Sequence, residues 1–285
     1  MRPTLLEIVN EAKLTLKFSD IYPLLAYSLG KTKEFILTNP RSFLTPVEKK
    51  RWEECVLRRK RGEPVAYIVG RKEFYSLSFR VTPDTLIPRP ETELLVDEVI
   101  RRNPESLLDL GTGSGNIAVS VKYYLPGCRI VALDVSEEAL RIARENADFL
   151  LDFHDIEFAK SDFFSKLTDQ KFDIIVSNPP YIKSKRILQL QPEIREWEPR
   201  RALDGGRDGL DAYRAILKEG WRFLEKGGFL LLEVDPDIIH GIESLREMNH
   251  YCLEAVHRDM GGYERMIVLG QKMIESGFRR ERDVY

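Results

Sequence analysis

The sequence has few of the residues that bind metals or form crosslinks. Its 285 residues include three cysteines and four histidines. Cys55, Cys128 and Cys252 are too far apart for a metal or redox motif, and the histidines show no ligand spacing. We therefore predict no metal site and a reducing, cytoplasmic location.

Long apolar runs are also missing. No run approaches the roughly 20 residues that cross a bilayer, and residues 1–7 lack the apolar core of a signal peptide. Apolar residues make up 43% of the chain and charged residues 32%, which is typical of a soluble globular protein. We expect no membrane partner.

Charge is distributed unevenly along the chain. Residues 1–90 carry 17 Lys and Arg against 10 Asp and Glu, whereas the remainder carries 27 against 36. A basic amino-terminal part beside an acidic carboxy-terminal part indicates two domains with different partners. Solvated helix faces explain the same charges equally well.

The chain divides into three regions by pattern. The first has helical periodicity, and its strongest signal is the capping box Thr45-Pro-Val-Glu48. Residues 62–70 and 74–81 change to a β-type pattern, which predicts a short hairpin. The predicted regions are a helical bundle for substrate docking over 1–72, a hairpin and proline-rich linker over 73–90, and an α/β domain over 91–285.

Strands alternate with helices from residue 106 onward, which predicts a parallel sheet covered on both faces. The last two of seven predicted strands have no helix between them, so we expect them to pair antiparallel through Gly261 and Gly262. The predicted strands are 107–110, 129–134, 156–160, 172–177, 228–234, 251–256 and 265–269, and the predicted helices are 116–124, 137–149, 210–224 and 237–248.

A glycine-rich loop, Asp109-Leu-Gly-Thr-Gly-Ser-Gly115, closes the first of these strands and opens a helix. Glycines let backbone N–H groups approach a ligand closely. Asp134 ends the second strand, where a carboxylate can bind two ribose hydroxyls, so we expect a nucleoside cofactor across the strand ends. The candidate cofactor-binding residues are Asp109, Gly111, Thr112, Gly113, Ser114, Gly115, Asp134, Asp162, Phe163 and Asn178.

Two cofactors, S-adenosyl-L-methionine and NAD, are candidates for this loop. A dinucleotide fingerprint places glycine where this chain has Asn116. S-adenosyl-L-methionine has an α-amino group that a carboxylate such as Asp109 can hold directly or through water. Asp162 and Phe163 follow the third strand, where an adenine would lie. We favour S-adenosylmethionine, with NAD as the alternative.

Asn178-Pro-Pro-Tyr181 follows the buried run 172–177. The prolines fix the backbone and offer carbonyl oxygens without N–H donors. The asparagine adds an acceptor and the tyrosine an aromatic face. Such a platform suits a planar –NH2 group, either a protein amide or an adenine amine, although a proline turn is the simpler interpretation. The acidic balance of this region weighs against a nucleic acid.

The chain resembles the bacterial protein-(glutamine-N5) methyltransferases that modify peptide chain release factors, the HemK/PrmC type. The resemblance covers most of the chain, and the run Pro88-Arg-Pro-Glu-Thr-Glu93 discriminates best against adenine methyltransferases. Besides the glycine loop and the tetrapeptide, the motifs that carry it are Gly62-Glu-Pro-Val-Ala-Tyr-Ile68, Phe74, Ile87-Pro-Arg-Pro-Glu-Thr-Glu93 and Glu198-Pro-Arg-Arg-Ala-Leu-Asp-Gly-Gly206.

This resemblance implies a class I S-adenosylmethionine-dependent methyltransferase, with a Rossmann-like, seven-stranded, mostly parallel sheet. It implies release factors as partners and no direct nucleic-acid target. The implied catalytic and glutamine-binding residues are Asn178, Pro179, Pro180 and Tyr181. The alternatives are a glutamine methyltransferase acting on a ribosomal protein, an adenine methyltransferase, and a non-catalytic cofactor-binding module.

The chain departs from the family pattern at three places. Phe163 stands where the family usually has tryptophan. Glu233-Val-Asp-Pro236 replaces a Glu-Ile-Gly type of segment, so no role is predicted for that loop. The tail at 277–285 matches none of the family's motifs.

Overall fold

A computed structural model describes residues 3–247 and 250–272. The tail at 277–285 and residue 248, the last of a predicted helix, lie outside the described residues. Within the described ranges, no helix is long and apolar enough to span a bilayer.

Five helices form an amino-terminal bundle within the described residues. Two begin at capping boxes, Thr4 with Glu7 and Thr45 with Glu48, in which each residue's side chain bonds the backbone N–H of the other. This arrangement satisfies donors that a helix start leaves free, and it confirms the predicted capping box. The helices are α1 (Leu5–Ala12), α2 (Phe18–Leu29), α3 (Lys33–Thr38), α4 (Pro46–Lys60) and α5 (Val65–Val69).

The β-type pattern predicted for residues 62–70 is wrong. The five residues of α5 follow Pro64 and end at Gly70, whose φ of +75° stops the helix. Ile68 is buried in the bundle core with residues of α2 and α4 such as Leu25 and Trp52. A short apolar run is compatible with helix or strand, and packing against the bundle selects the helix here.

The predicted hairpin is present but lies entirely after residue 70. Its strands β1 (Arg71–Phe74) and β2 (Leu77–Arg80) pair antiparallel. Tyr75 and Ser76 have φ of +50° and +61°, as a two-residue hairpin turn with matching twist requires. Phe74 and Phe79 are buried against the core of the α/β part.

In the part of the chain that the structure describes, the main sheet has the seven strands and the mostly parallel order that the sequence predicts. The strands are β3 (Ser106–Leu110), β4 (Arg129–Asp134), β5 (Glu157–Lys160), β6 (Phe172–Ser177), β7 (Leu224–Glu233), β8 (Tyr251–Arg258) and β9 (Glu264–Gln271). Their order across the sheet is β5-β4-β3-β6-β7-β9-β8. The first five run parallel, and β9 is antiparallel to β7 and β8, which confirms the predicted pairing.

Helices connect the strands and cover the sheet on both faces. They are α6 (Glu93–Arg102), α7 (Asn116–Tyr124), α8 (Glu137–Leu150), α9 (Ser184–Ile187), α10 (Pro192–Arg195), α11 (Asp211–Glu219) and α12 (Ile239–Glu247). The strand order reverses at β3, which pairs with β4 on one side and with β6 on the other. Such a reversal opens a crevice at the carboxyl ends of the strands. The crevice therefore lies beyond Leu110 and Ser177.

Candidate active site

Three glycines shape the loop between β3 and α7. Gly111, Gly113 and Gly115 have φ of +73°, +57° and +79°, a region that residues with a Cβ avoid. Gly115 is also sterically confined, since a Cβ there would lie 3.1 Å from the Cβ of Ala143 in α8. The N–H groups of Gly111 and Thr112 both donate to the Leu133 carbonyl of β4, at 2.8 and 3.0 Å, which holds the loop against the sheet. At Gly115, α7 packs closely on α8.

Asp109 braces this loop from beneath. Its Oδ2 accepts hydrogen bonds from the Thr112 hydroxyl at 2.7 Å and from the Ala118 N–H at 3.2 Å. The side chain is fully buried, and its Oδ1 has no hydrogen-bond partner among the described residues. Burial raises the pKa of this carboxyl to about 7, because the charged form is unfavourable away from water. One buried oxygen is thus available to a further donor.

Asp134 lies at the end of β4 and contacts the same loop. Its Oδ2 accepts from the Gly113 N–H and its Oδ1 from the Ser136 N–H, both at 2.9 Å. Burial raises the pKa of this carboxyl, while the backbone donors act in the opposite direction. The two donors orient the carboxylate at the carboxyl end of the strand.

A cavity of about 210 Å³, called the sheet-end cavity below, lies beyond the carboxyl ends of β3, β4 and β6. The segments 84–86 and 199–202 also contribute to its lining, and sequence reasoning assigned no role to either. The lining residues that the sequence did predict are Gly111, Gly113, Asp134, Asp162, Phe163, Asn178, Pro179 and Pro180.

The other predicted cofactor residues lie at or behind the glycine loop. Thr112 and Ser114 line a smaller cavity of about 30 Å³, which also contacts Asn178. Asp109 and Gly115 line neither cavity and instead support the loop. The structure therefore brings all the predicted residues to one region, but in two layers.

Phe163 has an uncommon backbone conformation for a bulky residue. Its φ is +45°, and the Ser161 hydroxyl donates to its carbonyl oxygen at 2.7 Å. Residues in sparsely populated conformations cluster at ligand sites, where the surrounding structure maintains them. This feature agrees with the position of Phe163 on the cavity wall.

Asn178 lies where the sheet-end cavity meets a second one. The second cavity, called the platform cavity below, has a volume of about 170 Å³. Asn178, Leu86 and Ala202 line both cavities, so groups bound in the two cavities can meet at this asparagine. The full lining of the platform cavity is Leu86, Arg89, Asn178, Tyr181, Ile182, Ile194, Ala202 and Leu203.

The side chain of Asn178 is hydrogen-bonded to Thr92, which in turn bonds Glu233, and sequence reasoning assigned a role to neither. Its Nδ2 donates to Thr92 Oγ1 at 3.1 Å, and the Thr92 hydroxyl donates to Glu233 Oε2 at 2.6 Å. Thr92 belongs to the run at residues 87–93, which carried the resemblance without an assigned role. The presence of Thr92 in this run was the sequence feature that could have pointed to its role.

The segment 203–209 packs against the platform backbone from Pro180 to Ile182. The Gly205 N–H donates to the Ile182 carbonyl at 2.9 Å. A Cβ at Gly205 would lie 2.7 Å from the Pro180 carbonyl oxygen and 2.8 Å from the Tyr181 Cα. Glycine alone permits so close an approach of two backbones.

Glu198 connects the same part of the chain to the linker. Its buried carboxylate accepts from the Ile87 N–H at 3.2 Å and pairs with Arg89 at 2.5 Å. Because Leu86 and Arg89 line the platform cavity, this pair fixes one of its walls.

Two known families match parts of the chain. The PrmC N-terminal domain matches residues 9–70, and the Methyltransferase small domain matches residues 90–194. A crystal structure of a methyltransferase from Pyrococcus furiosus is similar with a TM-score of 0.55 at 19% identity, over 78% of this chain and 98% of that one. This likeness shows a shared fold.

Two curated bacterial proteins, each named release factor glutamine methyltransferase, are similar along most of the chain. The Geobacter sulfurreducens protein is 39% identical over 86% of this chain and 86% of its own length. The Caulobacter vibrioides protein is 39% identical over 87% of each. With this identity over nearly its whole length, the chain belongs to the release factor glutamine methyltransferase family.

Proposed function

We propose that this protein transfers the methyl group of S-adenosyl-L-methionine to the side-chain amide nitrogen of the glutamine in the Gly-Gly-Gln motif of peptide chain release factors, giving N5-methylglutamine. The observation that carries this proposal is the position of Asn178, which lines both the sheet-end cavity and the platform cavity and donates a hydrogen bond from its –NH2 group to Thr92. Its carbonyl oxygen thereby remains for an incoming amide. Membership of the family supports the release factor as the substrate. We place the reaction in the cytoplasm, because a reducing compartment keeps cysteines unpaired, as Cys55, Cys128 and Cys252 are.

The sheet-end cavity and its glycine loop fit S-adenosylmethionine. Asp134 would hold the ribose hydroxyls, with Asp162 and Phe163 beside the adenine. The glycines at 111–115 leave room for the amino-acid part of the cofactor. Asp109 lies behind the loop and lines neither cavity, so its buried Oδ1, which has no partner among the described residues, suits the α-amino group through water rather than by direct contact. When bound, this cofactor supplies an electrophilic sulfonium methyl group.

The platform acts on the acceptor amide. An amide nitrogen is a weak nucleophile because its lone pair is delocalised into the carbonyl group. The Asn178 side-chain oxygen accepts one amide hydrogen and the Pro179 carbonyl oxygen accepts the other, while Tyr181 packs over the amide plane. These bonds orient the nitrogen, and alignment of this kind is worth on the order of 7–11 kcal/mol in favourable intramolecular cases.

The same two hydrogen bonds are stronger in the transition state than in the ground state. Positive charge develops on the nitrogen as it is methylated, so its hydrogens become better donors to Asn178 and Pro179. The methylated amide cation is acidic enough to lose its proton to water. The proposal therefore requires no general base.

Labelled S-adenosylmethionine tests the substrate directly. We expect label on a release factor, and none on the same factor with its Gly-Gly-Gln glutamine replaced by asparagine, on a ribosomal protein or on duplex DNA. The asparagine variant is a matched control, since it keeps the amide one methylene closer to the backbone. Label on DNA alone, on the ribosomal protein alone or on the glutamine-less factor would overturn the proposal.

Removing the Asp134 carboxylate should weaken cofactor binding. We expect Asp134→Ala to raise the Kd of S-adenosylmethionine by about 10- to 100-fold, the effect of losing hydrogen bonds to a charged group. Titration calorimetry measures this Kd. Asp148→Ala, which removes an exposed carboxylate from α8, is the control and should bind as the wild type does. An unchanged Kd in Asp134→Ala contradicts the assignment.

A further inference from the structure

Three side chains, Asn178, Thr92 and Glu233, form a hydrogen-bond network behind the platform, called the Asn178 network below. Glu233 closes β7, Thr92 lies in the short helical turn before α6, and both are buried. Asn178 Nδ2 donates to Thr92 Oγ1 at 3.1 Å, and Thr92 Oγ1 donates to Glu233 Oε2 at 2.6 Å. The Asn178 network therefore joins the end of β6, the turn before α6 and the end of β7.

The chemistry of the three groups allows only one donor-to-acceptor direction along the hydrogen bonds of the Asn178 network. An ionised carboxylate can only accept hydrogen bonds, so Thr92 must direct its single hydroxyl hydrogen at Glu233. The Thr92 oxygen can then only accept from Asn178, and only the –NH2 end of the amide can donate to it. The carbonyl end of Asn178 is thereby fixed on the opposite side.

We infer that Thr92 and Glu233 are positioning residues, which hold the Asn178 amide with its oxygen toward the acceptor glutamine. The inference rests on the proposed function, in which that oxygen accepts a hydrogen from the substrate –NH2 group. An Asn178 amide rotated by a half turn would present its own –NH2 to the substrate –NH2. Two donors would then face each other, and the nitrogen would not be oriented for attack.

The immediate surroundings keep Glu233 in place and set its ionisation. The Tyr213 hydroxyl donates to the Glu233 backbone oxygen at 2.6 Å, which anchors the end of β7. Burial raises the pKa of the Glu233 carboxyl to about 7, and the Thr92 hydrogen bond opposes this rise. The titratable and charged side chains near Glu233 are Arg89, Glu91, Tyr181, Tyr213 and Arg265.

The raised pKa predicts how the rate depends on pH. Glu233 becomes protonated as the pH falls through about 7, and a protonated carboxyl can donate to Thr92 as well as accept from it. The donor-to-acceptor direction from Asn178 through Thr92 to Glu233 is then no longer enforced. Since the positioning form is the ionised one, kcat should fall on the acid side of about pH 7 and be level above it.

Three variants test the inference in the full-length protein with a release factor as substrate. Thr92→Val removes the hydroxyl at nearly constant volume and should lower kcat by about 10- to 100-fold, with little change in the KM of the release factor or the Kd of S-adenosylmethionine. Thr92→Ser keeps the hydroxyl and should restore most of kcat. Glu233→Gln should lower kcat and abolish its change near pH 7.

Controls separate positioning from folding and from other ionisations. Ser120→Ala removes a buried hydroxyl of α7 that has no partner among the described residues, and it should leave kcat unchanged. Thermal unfolding checks that each variant is folded. Asp109 is another carboxyl with a pKa near 7, so the pH profile is measured at saturating cofactor, and only the ionisation lost in Glu233→Gln belongs to Glu233.

The inference and the proposed function fail in different ways. If the wild type does not methylate the release factor, the proposed function is wrong. If it does, the inference is overturned by wild-type kcat in Thr92→Val, by an unaltered pH profile in Glu233→Gln, or by a loss of cofactor affinity in Thr92→Val equal to its loss of kcat.

Discussion

Replacing Asn178 with alanine is expected to lower kcat by about 10²- to 10³-fold, the range seen when one preorganised hydrogen-bonding group is removed from an active site. The loss should appear mainly in kcat, because the hydrogen bond from the substrate strengthens as charge develops on the nitrogen. Cofactor affinity should change far less, since Asn178 is one of many residues that line the sheet-end cavity.

Steady-state kinetics with a release factor, together with calorimetric titration of S-adenosylmethionine, separate the two effects. Asn10→Ala removes an exposed asparagine of α1 and should behave as the wild type does. An equal loss of kcat and of cofactor affinity in Asn178→Ala would contradict the assignment of Asn178 to the acceptor amide.

Gly205→Ala is expected to damage both stability and catalysis. The added Cβ would lie 2.7 Å from the Pro180 carbonyl oxygen, 2.8 Å from the Tyr181 Cα and 2.9 Å from the Gly209 carbonyl oxygen. All three are backbone atoms, which cannot rotate away as a side chain can. Overpacking of this kind costs about 1–3 kcal/mol in the free energy of unfolding. A platform displaced by about 1 Å can also lose on the order of 10² in rate.

Chemical denaturation and kcat measure the two losses in Gly205→Ala. Gly127→Ala is the matched control, because its Cβ would meet no heavy atom of the described residues within 4 Å and its φ is not positive. The control should keep wild-type stability and rate. If Gly205→Ala is equally unaffected, the close packing of the 203–209 segment on the platform has no functional role.

The local signals in the sequence predicted the sheet and the residues at its strand ends well. The glycine loop and Asp134 lie at strand-to-helix turns, where a few consecutive residues determine the backbone path. The parallel order of the strands then requires these turns to share one edge. For this reason Gly113, Asp134 and Asn178 could be assigned to one region before their distances were known.

Other features were decided by packing over long distances in the chain. The five residues of α5 have the composition of a strand but form a helix, because Ile68 completes the core of the bundle. Pro64 before them and Gly70 after them are compatible with either structure. In a run this short, tertiary contacts outweigh intrinsic preference.

By itself, the sequence determined the fold class, and it predicted the glycine loop, the carboxylate of Asp134 and the Asn178-Pro-Pro-Tyr181 platform as site features, since each consists of consecutive or regularly spaced residues. Only the tertiary structure decided how that platform is oriented. Thr92 lies 86 residues from Asn178 and 141 residues from Glu233, and no local pattern links residues so far apart. The three meet because β6 and β7 are neighbours in the sheet and the turn before α6 packs against their ends. A hydrogen bond of defined polarity can then form between them.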